Sequence, residues 1–111
     1  MQQGAQVHAF LKEHYREHYT IEELSVRFKM SPTVLKKCFK GVYGDSVYGY
    51  MKKYRLQMAE RFLKENKLTI GEIALQIGYQ NPNKFTSAFR TEYGMSPTEY
   101  RKKKTQESLN G

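Results

Sequence analysis

TIGEIALQIGYQNPNKFTSAFRTEYGMSPTEY, residues 69–100, reads as three capped helices in succession, and its reading decides the fold. Thr69 with Glu72 and Ser96 with Glu99 both have the S/T-x-x-E form of a capping box, in which a hydroxyl and a carboxylate each take a backbone N–H at a helix start. Asn81 before Pro82 is a third start, because proline at the first helical position gives up an N–H that has no intrahelical partner. Gly94 is placed to stop the middle helix in a left-handed conformation. Nothing alternates at period two for long, so the spacing predicts helices over 70–77, 82–93 and 97–103.

Working outward, residues 20–53 can be laid over 69–103 with one extra residue, Gln80, in the second copy. Thr20, Ile21 and Glu23 match Thr69, Ile70 and Glu72, and Pro32, Phe39, Tyr43 and Gly44 match Pro82, Phe89, Tyr93 and Gly94. Ser46, Tyr50, Lys52 and Lys53 match Ser96, Tyr100, Lys102 and Lys103. These pairs fall at caps, turns and apolar positions, so the chain is read as a duplication. The whole is expected to be all-α, with seven helices near 5–18, 21–28, 32–43, 47–66, 70–77, 82–93 and 97–103. They are expected to form two helix-turn-helix subdomains, 5–45 and 67–103, joined by a long linker helix at 46–66, with a polar, frayed tail at 104–111.

Composition narrows the function. A chain of 111 residues holds a small core, and its net charge of +8 draws polyanions, which makes nucleic acid or an acidic membrane face the leading partners. The single cysteine, Cys38, excludes an intrachain disulfide, and no apolar run approaches the roughly 20 residues that span a bilayer. No export signal opens the chain, so the cytoplasm is the expected compartment.

The second helix of each helix-turn-helix pair carries the functional signal. At helical spacing Leu35, Cys38, Phe39 and Val42 fall on one core-facing stripe, which leaves Thr33, Lys36, Lys37 and Lys40 outward. In the second copy Phe85, Ala88 and Phe89 face inward, and Asn83, Lys84, Thr86, Ser87 and Arg90 remain outward. Cationic and amide side chains at such a helix start reach base edges, while later basic residues meet phosphates, and Lys40, Lys84 and Arg90 are the phosphate candidates. One lysine-rich face alone reads as solvated surface; two on repeated helix-turn-helix units read as DNA-binding.

The stretch Ile73-Ala74-Leu75-Gln76-Ile77-Gly78-Tyr79, then Asn83 to Arg90, then Tyr93 to Arg101, resembles the DNA-binding domain of AraC/XylS transcription regulators. Arg55, Leu56, Ala59 and Leu63 of the linker helix also fit that pattern, and the similarity covers 7–103. Pro82 and Ser87 depart from it, since members often have a polar residue at the first position and a long one at the second. The resemblance implies base reading by Thr33, Lys36 and Lys37 in the first unit and by Asn83, Thr86 and Ser87 in the second. It also implies double-stranded DNA and RNA polymerase as partners, and either an effector or dimerisation module elsewhere in a longer chain, the favoured reading, or a stand-alone monomeric regulator. A linker helix of about 20 residues would measure roughly 30 Å, near the roughly 34 Å between successive major grooves. The two recognition helices are therefore expected in adjacent major grooves.

Other chemistries find less support. His14 and His18 lie one helical turn apart but no motif places a third ligand, so no metal is expected. Cys38, among Leu35, Phe39 and Val42, reads as a buried, inert thiol rather than a redox sensor or the alkyl acceptor of a DNA-repair protein. Tyr43, Tyr50, Tyr54, Tyr93 and Tyr100 read as packing at helix ends and between units rather than as stacking platforms for unpaired bases. No glycine-rich phosphate loop or Ser/His/Asp arrangement is present, so neither enzyme activity nor a cofactor is expected. A membrane-surface protein would need one wide exposed apolar face, whereas the stripes here have partner helices.

Overall fold

The computed structural model describes residues 2–110, as seven helices with no strand among the described residues. In chain order they are α1 (Gln2–Glu13), α2 (Ile21–Phe28), α3 (Pro32–Tyr43), α4 (Val47–Glu65), α5 (Ile70–Gln76), α6 (Pro82–Tyr93) and α7 (Pro97–Asn110). The chain divides into two compact units inside α4, after Tyr54.

In the first unit α1, α2, α3 and the start of α4 enclose Val7, Leu11, Leu24, Met30, Leu35, Phe39, Val47 and Met51. Helix α2 begins on a complete capping box: Thr20 Oγ1 accepts from Glu23 N at 3.1 Å, and Glu23 Oε1 accepts from Thr20 N at 3.0 Å. Helix α3 begins where Ser31 Oγ accepts from Val34 N at 3.2 Å, and it ends on Gly44 at φ 78°.

The second unit repeats the plan with the rest of α4, α5, α6 and α7 around Leu56, Ala59, Leu63, Ile73, Ala74, Ile77, Phe85, Phe89 and Tyr100. Thr69 and Glu72 close a capping box at 3.1 and 2.8 Å, and Ser96 and Glu99 close another at 3.2 and 3.0 Å. Bonds from the cap backbone N–H, and then from the cap hydroxyl side, hold the carboxyls of Glu23, Glu72 and Glu99 below the usual carboxylate range.

The duplication reaches into the cores. Phe39, Tyr43 and Tyr50 form a ring triad with centroids 4.8, 5.5 and 5.7 Å apart. Phe89, Tyr93 and Tyr100 form its counterpart at 4.4, 5.4 and 5.7 Å. In the first unit His8 of α1 stacks on Tyr43 at 4.0 Å, with its Nε2 2.6 Å from Tyr50 Oη. In the second, Glu60 of α4 accepts from Tyr93 Oη at 3.5 Å and also from Tyr100 Oη. Val7, His8 and Leu11 are thus the counterparts of Ala59, Glu60 and Leu63, so α1 answers to the later part of α4. These tyrosines pack inside their own units.

Four sequence expectations differ in detail. Helix α1 ends at Glu13 rather than near 18, because a turn follows in which Glu17 N donates to His14 O at 2.9 Å. Phe10 draws the returning chain in, packing against Tyr19 at 5.0 Å and Phe28 at 5.6 Å. His14 and His18 therefore do not share a helix face. Helix α7 runs to Asn110 where a frayed tail was expected, with Lys104 over the Tyr100 ring at 5.4 Å and paired with Glu107 at 3.2 Å. Val42, placed in the core stripe of α3 by periodicity, is 52% exposed, because it lies in the last turn, past the buried Leu35 and Phe39. Cys38 is half-buried at the edge of the core rather than enclosed.

Candidate nucleic-acid interface

Each unit presents one two-helix element closed by the same turn. After α2, Lys29 adopts the left-handed conformation at φ 53°, and Met30 N donates to Ser25 O at 3.0 Å. After α5, Gly78 at φ 95° stands at the matching place, and Tyr79 N donates to Ala74 O at 2.8 Å. Buried Met30 pins the first turn, and Tyr79 packs on Phe85 at 5.8 Å in the second. The additional residue, Gln80, follows this shared turn, and Asn81 then caps α6 by accepting from Asn83 N at 2.9 Å.

Phe39 and Phe89 fix which faces of α3 and α6 point outward, being 1% and 0% exposed. On α3 this leaves Thr33, Lys36, Lys37 and Lys40 exposed, with no acidic residue anywhere in the helix. On α6, Asn83, Lys84, Ser87 and Arg90 are exposed and Thr86 is half-buried. The lysines seen in ion pairs among the described residues lie elsewhere: Lys53 with Asp45 at 3.9 Å, Lys64 with Glu60 at 3.8 Å and Lys104 with Glu107. The charges on α3 are therefore available to an external anion. Arg90 lies close enough to Glu99 to help lower its carboxyl, which makes it the more compensated cation.

The sequence reading passed over two features of α3. Val34, in the first turn, is 47% exposed, and no atom beyond the backbone of the helix itself and the adjoining residues lies within 4 Å of where a Cβ of Gly41 would stand. Helical spacing alone could have found both, since neither falls on the Leu35 and Phe39 stripe. Val26 of α2 and Leu75 of α5, at matching positions, are also exposed, at 79% and 61%.

Among the described residues no group of three or more His, Cys, Asp or Glu could hold a metal ion. No described helix is long and apolar enough to cross a membrane.

A family model described as a helix-turn-helix domain matches residues 24–103. The chain is 33% identical over 93 residues to the uncharacterized HTH-type transcriptional regulator YisR of Bacillus subtilis (strain 168), covering 84% of this chain and 32% of that protein. It is 28% identical over 95 residues to the HTH-type transcriptional regulator ExsA of Pseudomonas aeruginosa, covering 86% and 34%. The chain thus spans about a third of the length of these curated relatives. The DNA-binding domain of AdpA, a global transcriptional factor solved in complex with a target DNA, matches with a TM-score of 0.89 at 27% identity, covering 97% of each chain. The C-terminal domain of AraT, a response regulator from Geobacillus stearothermophilus, matches with a TM-score of 0.87 at 27% identity, covering 93% of this chain and 86% of that one.

The fold is that of a DNA-binding domain of bacterial transcription regulators. The chain belongs to the AraC/XylS-type helix-turn-helix family.

Proposed function

We propose that this chain is the part of a longer bacterial transcription regulator that reads duplex DNA sequence-specifically, with α3 and α6 as recognition helices in adjacent major grooves. The observation that carries the reading is the pair of outward faces on repeated helix-turn-helix units, basic on α3 and mixed amide, hydroxyl and basic on α6. Thr33, Lys36 and Lys37 of the first unit and Asn83, Thr86 and Ser87 of the second read base edges, where N-terminal residues of a recognition helix reach the groove floor. Lys40, Lys84 and Arg90 hold phosphates and set the register. The helix-turn-helix subdomains of this reading are 5–45 and 67–103, and α4, whose 19 residues measure about 28 Å as a helix, joins them. Lacking an acidic residue, α3 contributes at least as much affinity as α6.

The chain works in the cytoplasm without catalysis, metal or cofactor. Its protein partner is RNA polymerase, and the effector-binding or dimerising part lies outside these residues. The decisive experiment selects bound duplexes from a random pool. A recovered asymmetric site, bound far more tightly than a scrambled duplex, is the expected result; equal binding of all duplexes, or none, would refute sequence-specific recognition.

A further inference from the structure

One apolar side chain stands within the face assigned to base reading. Val34 is the third residue of α3, and nearly half of its surface is open. A lone surface valine ordinarily carries no meaning, but three observations set this one apart. The first is position: the opening turn of the second helix is where side chains meet base edges, and at 3.6 residues per turn Val34 stands only about 60° around α3 from Lys37. The second is rigidity. A β-branched side chain in a helix keeps one strongly preferred rotamer, and the backbone N–H of Val34 is held by Ser31 Oγ at 3.2 Å. The third is the strip it stands on: two turns further along the same side, no other segment of the protein lies within 4 Å of where a Cβ of Gly41 would stand. The second unit has Lys84 at the place matching Val34, so this apolar point belongs to the first unit alone.

We infer that Val34 selects a thymine, its isopropyl group packing against the C5 methyl of that base in the major groove entered by α3. The thymine methyl is the apolar group that base pairs display there; guanine, adenine and cytosine present hydrogen-bonding edges. Those edges would lose water against an isopropyl group without gaining a partner, so the same contact penalises the other bases. Lysines beside it position the helix and read acceptors, and Val34 adds a choice that charge cannot make. The inference rests on the proposed entry of α3 into the groove and names one base that it reads.

The test uses the whole chain and its selected duplex at fixed salt. Each thymine of the site is replaced singly by deoxyuridine, which keeps base pairing and deletes only the methyl, and affinity is read by fluorescence anisotropy. At one thymine the replacement weakens binding roughly fourfold, the equivalent of about 0.8 kcal/mol for one buried methyl. Val34→Ala binds the parent duplex more weakly and is indifferent to deoxyuridine at that position. Thr33→Ser, which removes the neighbouring methyl and keeps the hydroxyl, retains the deoxyuridine penalty. Alanine favours helix more than valine does, so unchanged melting of Val34→Ala separates lost contact from lost fold. A penalty that persists in Val34→Ala, one that vanishes in Thr33→Ser instead, or a selected site with no sensitive thymine would each overturn the inference. Failure to select any site would instead overturn the proposal of sequence-specific recognition beneath it.

Discussion

His8 and Glu60 hold the same station in the two units, His8 against the Tyr50 hydroxyl and Glu60 against those of Tyr93 and Tyr100, so that an imidazole closes one ring triad and a carboxylate the other. Burial, helped by the charge of Lys12, holds the His8 imidazole below its ordinary 6.5. The unfolded chain therefore takes up this proton first as pH falls. The first unit keeps its full stability above 6.5 and loses some below it. Thermal melts of His8→Phe, which keeps a ring on Tyr43, are expected to vary less between neutral and mildly acidic pH than those of the parent. A steeper dependence in the variant would contradict this role.

The second triad responds at the other end of the scale. Burial, followed by the charge of Glu60, pushes the Tyr93 phenol up to about 12, and Tyr100 is raised for the same leading reason. Both groups favour their protonated form in the folded state, so the second unit is whole below pH 10 and weakens as pH climbs from there. Tyr100→Phe deletes a bond to Glu60 and is expected to cost about 1 to 2 kcal/mol. Phenolate absorbance during alkaline titration checks the order of ionisation: the set of tyrosines that titrates late in the parent, to which Tyr19 and Tyr50 also belong, should lose one member in the variant.

Two helical glycines predict opposite responses to alanine. Gly41 has open space at its missing Cβ, so Gly41→Ala should stabilise the first unit by about 0.5 to 1 kcal/mol through lower chain entropy alone. At Gly49 a Cβ would stand 2.6 Å from Asp45 Oδ1, the same oxygen that accepts from Ser46 N at 2.7 Å. Gly49→Ala must displace that carboxylate from the start of α4 and should gain less or lose. Denaturant midpoints for the two variants decide the matter, and a larger gain at Gly49 would reverse the assignment.

Lys37→Ala should relax preference at particular base pairs, whereas Lys40→Ala and Arg90→Ala should weaken all duplexes evenly. If about five phosphates are neutralised, the logarithm of affinity should fall against the logarithm of salt with a slope near −4 to −5. Arg90→Ala should change that slope less than Lys40→Ala, because Glu99 already lies near Arg90. A slope near zero in the parent would be incompatible with phosphate-driven binding. Phe89→Ala is the structural control, expected to destabilise the second unit by about 3 to 5 kcal/mol by opening a core cavity.

Inserting about five base pairs between the two elements of the selected site should turn one of them to the far side of the duplex, about half a helical turn away. Binding should then fall to that of one unit, read as a loss of affinity and a shallower salt slope. Affinity unchanged by the insertion would mean that a single unit engages DNA.

What the sequence revealed, and what it withheld, follows from the range of the interactions involved. The capping boxes at Thr20, Thr69 and Ser96 were legible because each is made within four consecutive residues, and all three close as the residue types dictate. The outward placement of Lys36, Lys37 and Asn83 was legible because periodicity fixes a face once Phe39 and Phe89 are buried. The end of α1 was not, since it depends on Phe10 meeting Tyr19 and Phe28 from another helix. Nor was the correspondence of His8 with Glu60, whose side chains differ and whose segments align only through the tyrosines they face. Val42 shows the limit of periodicity itself: a stripe continues along a helix after its neighbours have stopped.

Helix α4 gives Val47 and Met51 to one core and Leu56, Ala59 and Leu63 to the other without a break in its backbone. Starting a helix is far harder than lengthening one, by a nucleation factor on the order of 10⁻³. Whichever unit forms first therefore hands the other a finished nucleus. Two sub-domains, each too small to be robust alone, are in this way wired into one kinetic event, and a proline in the turn around Tyr54 should sever that wire while leaving both recognition faces intact.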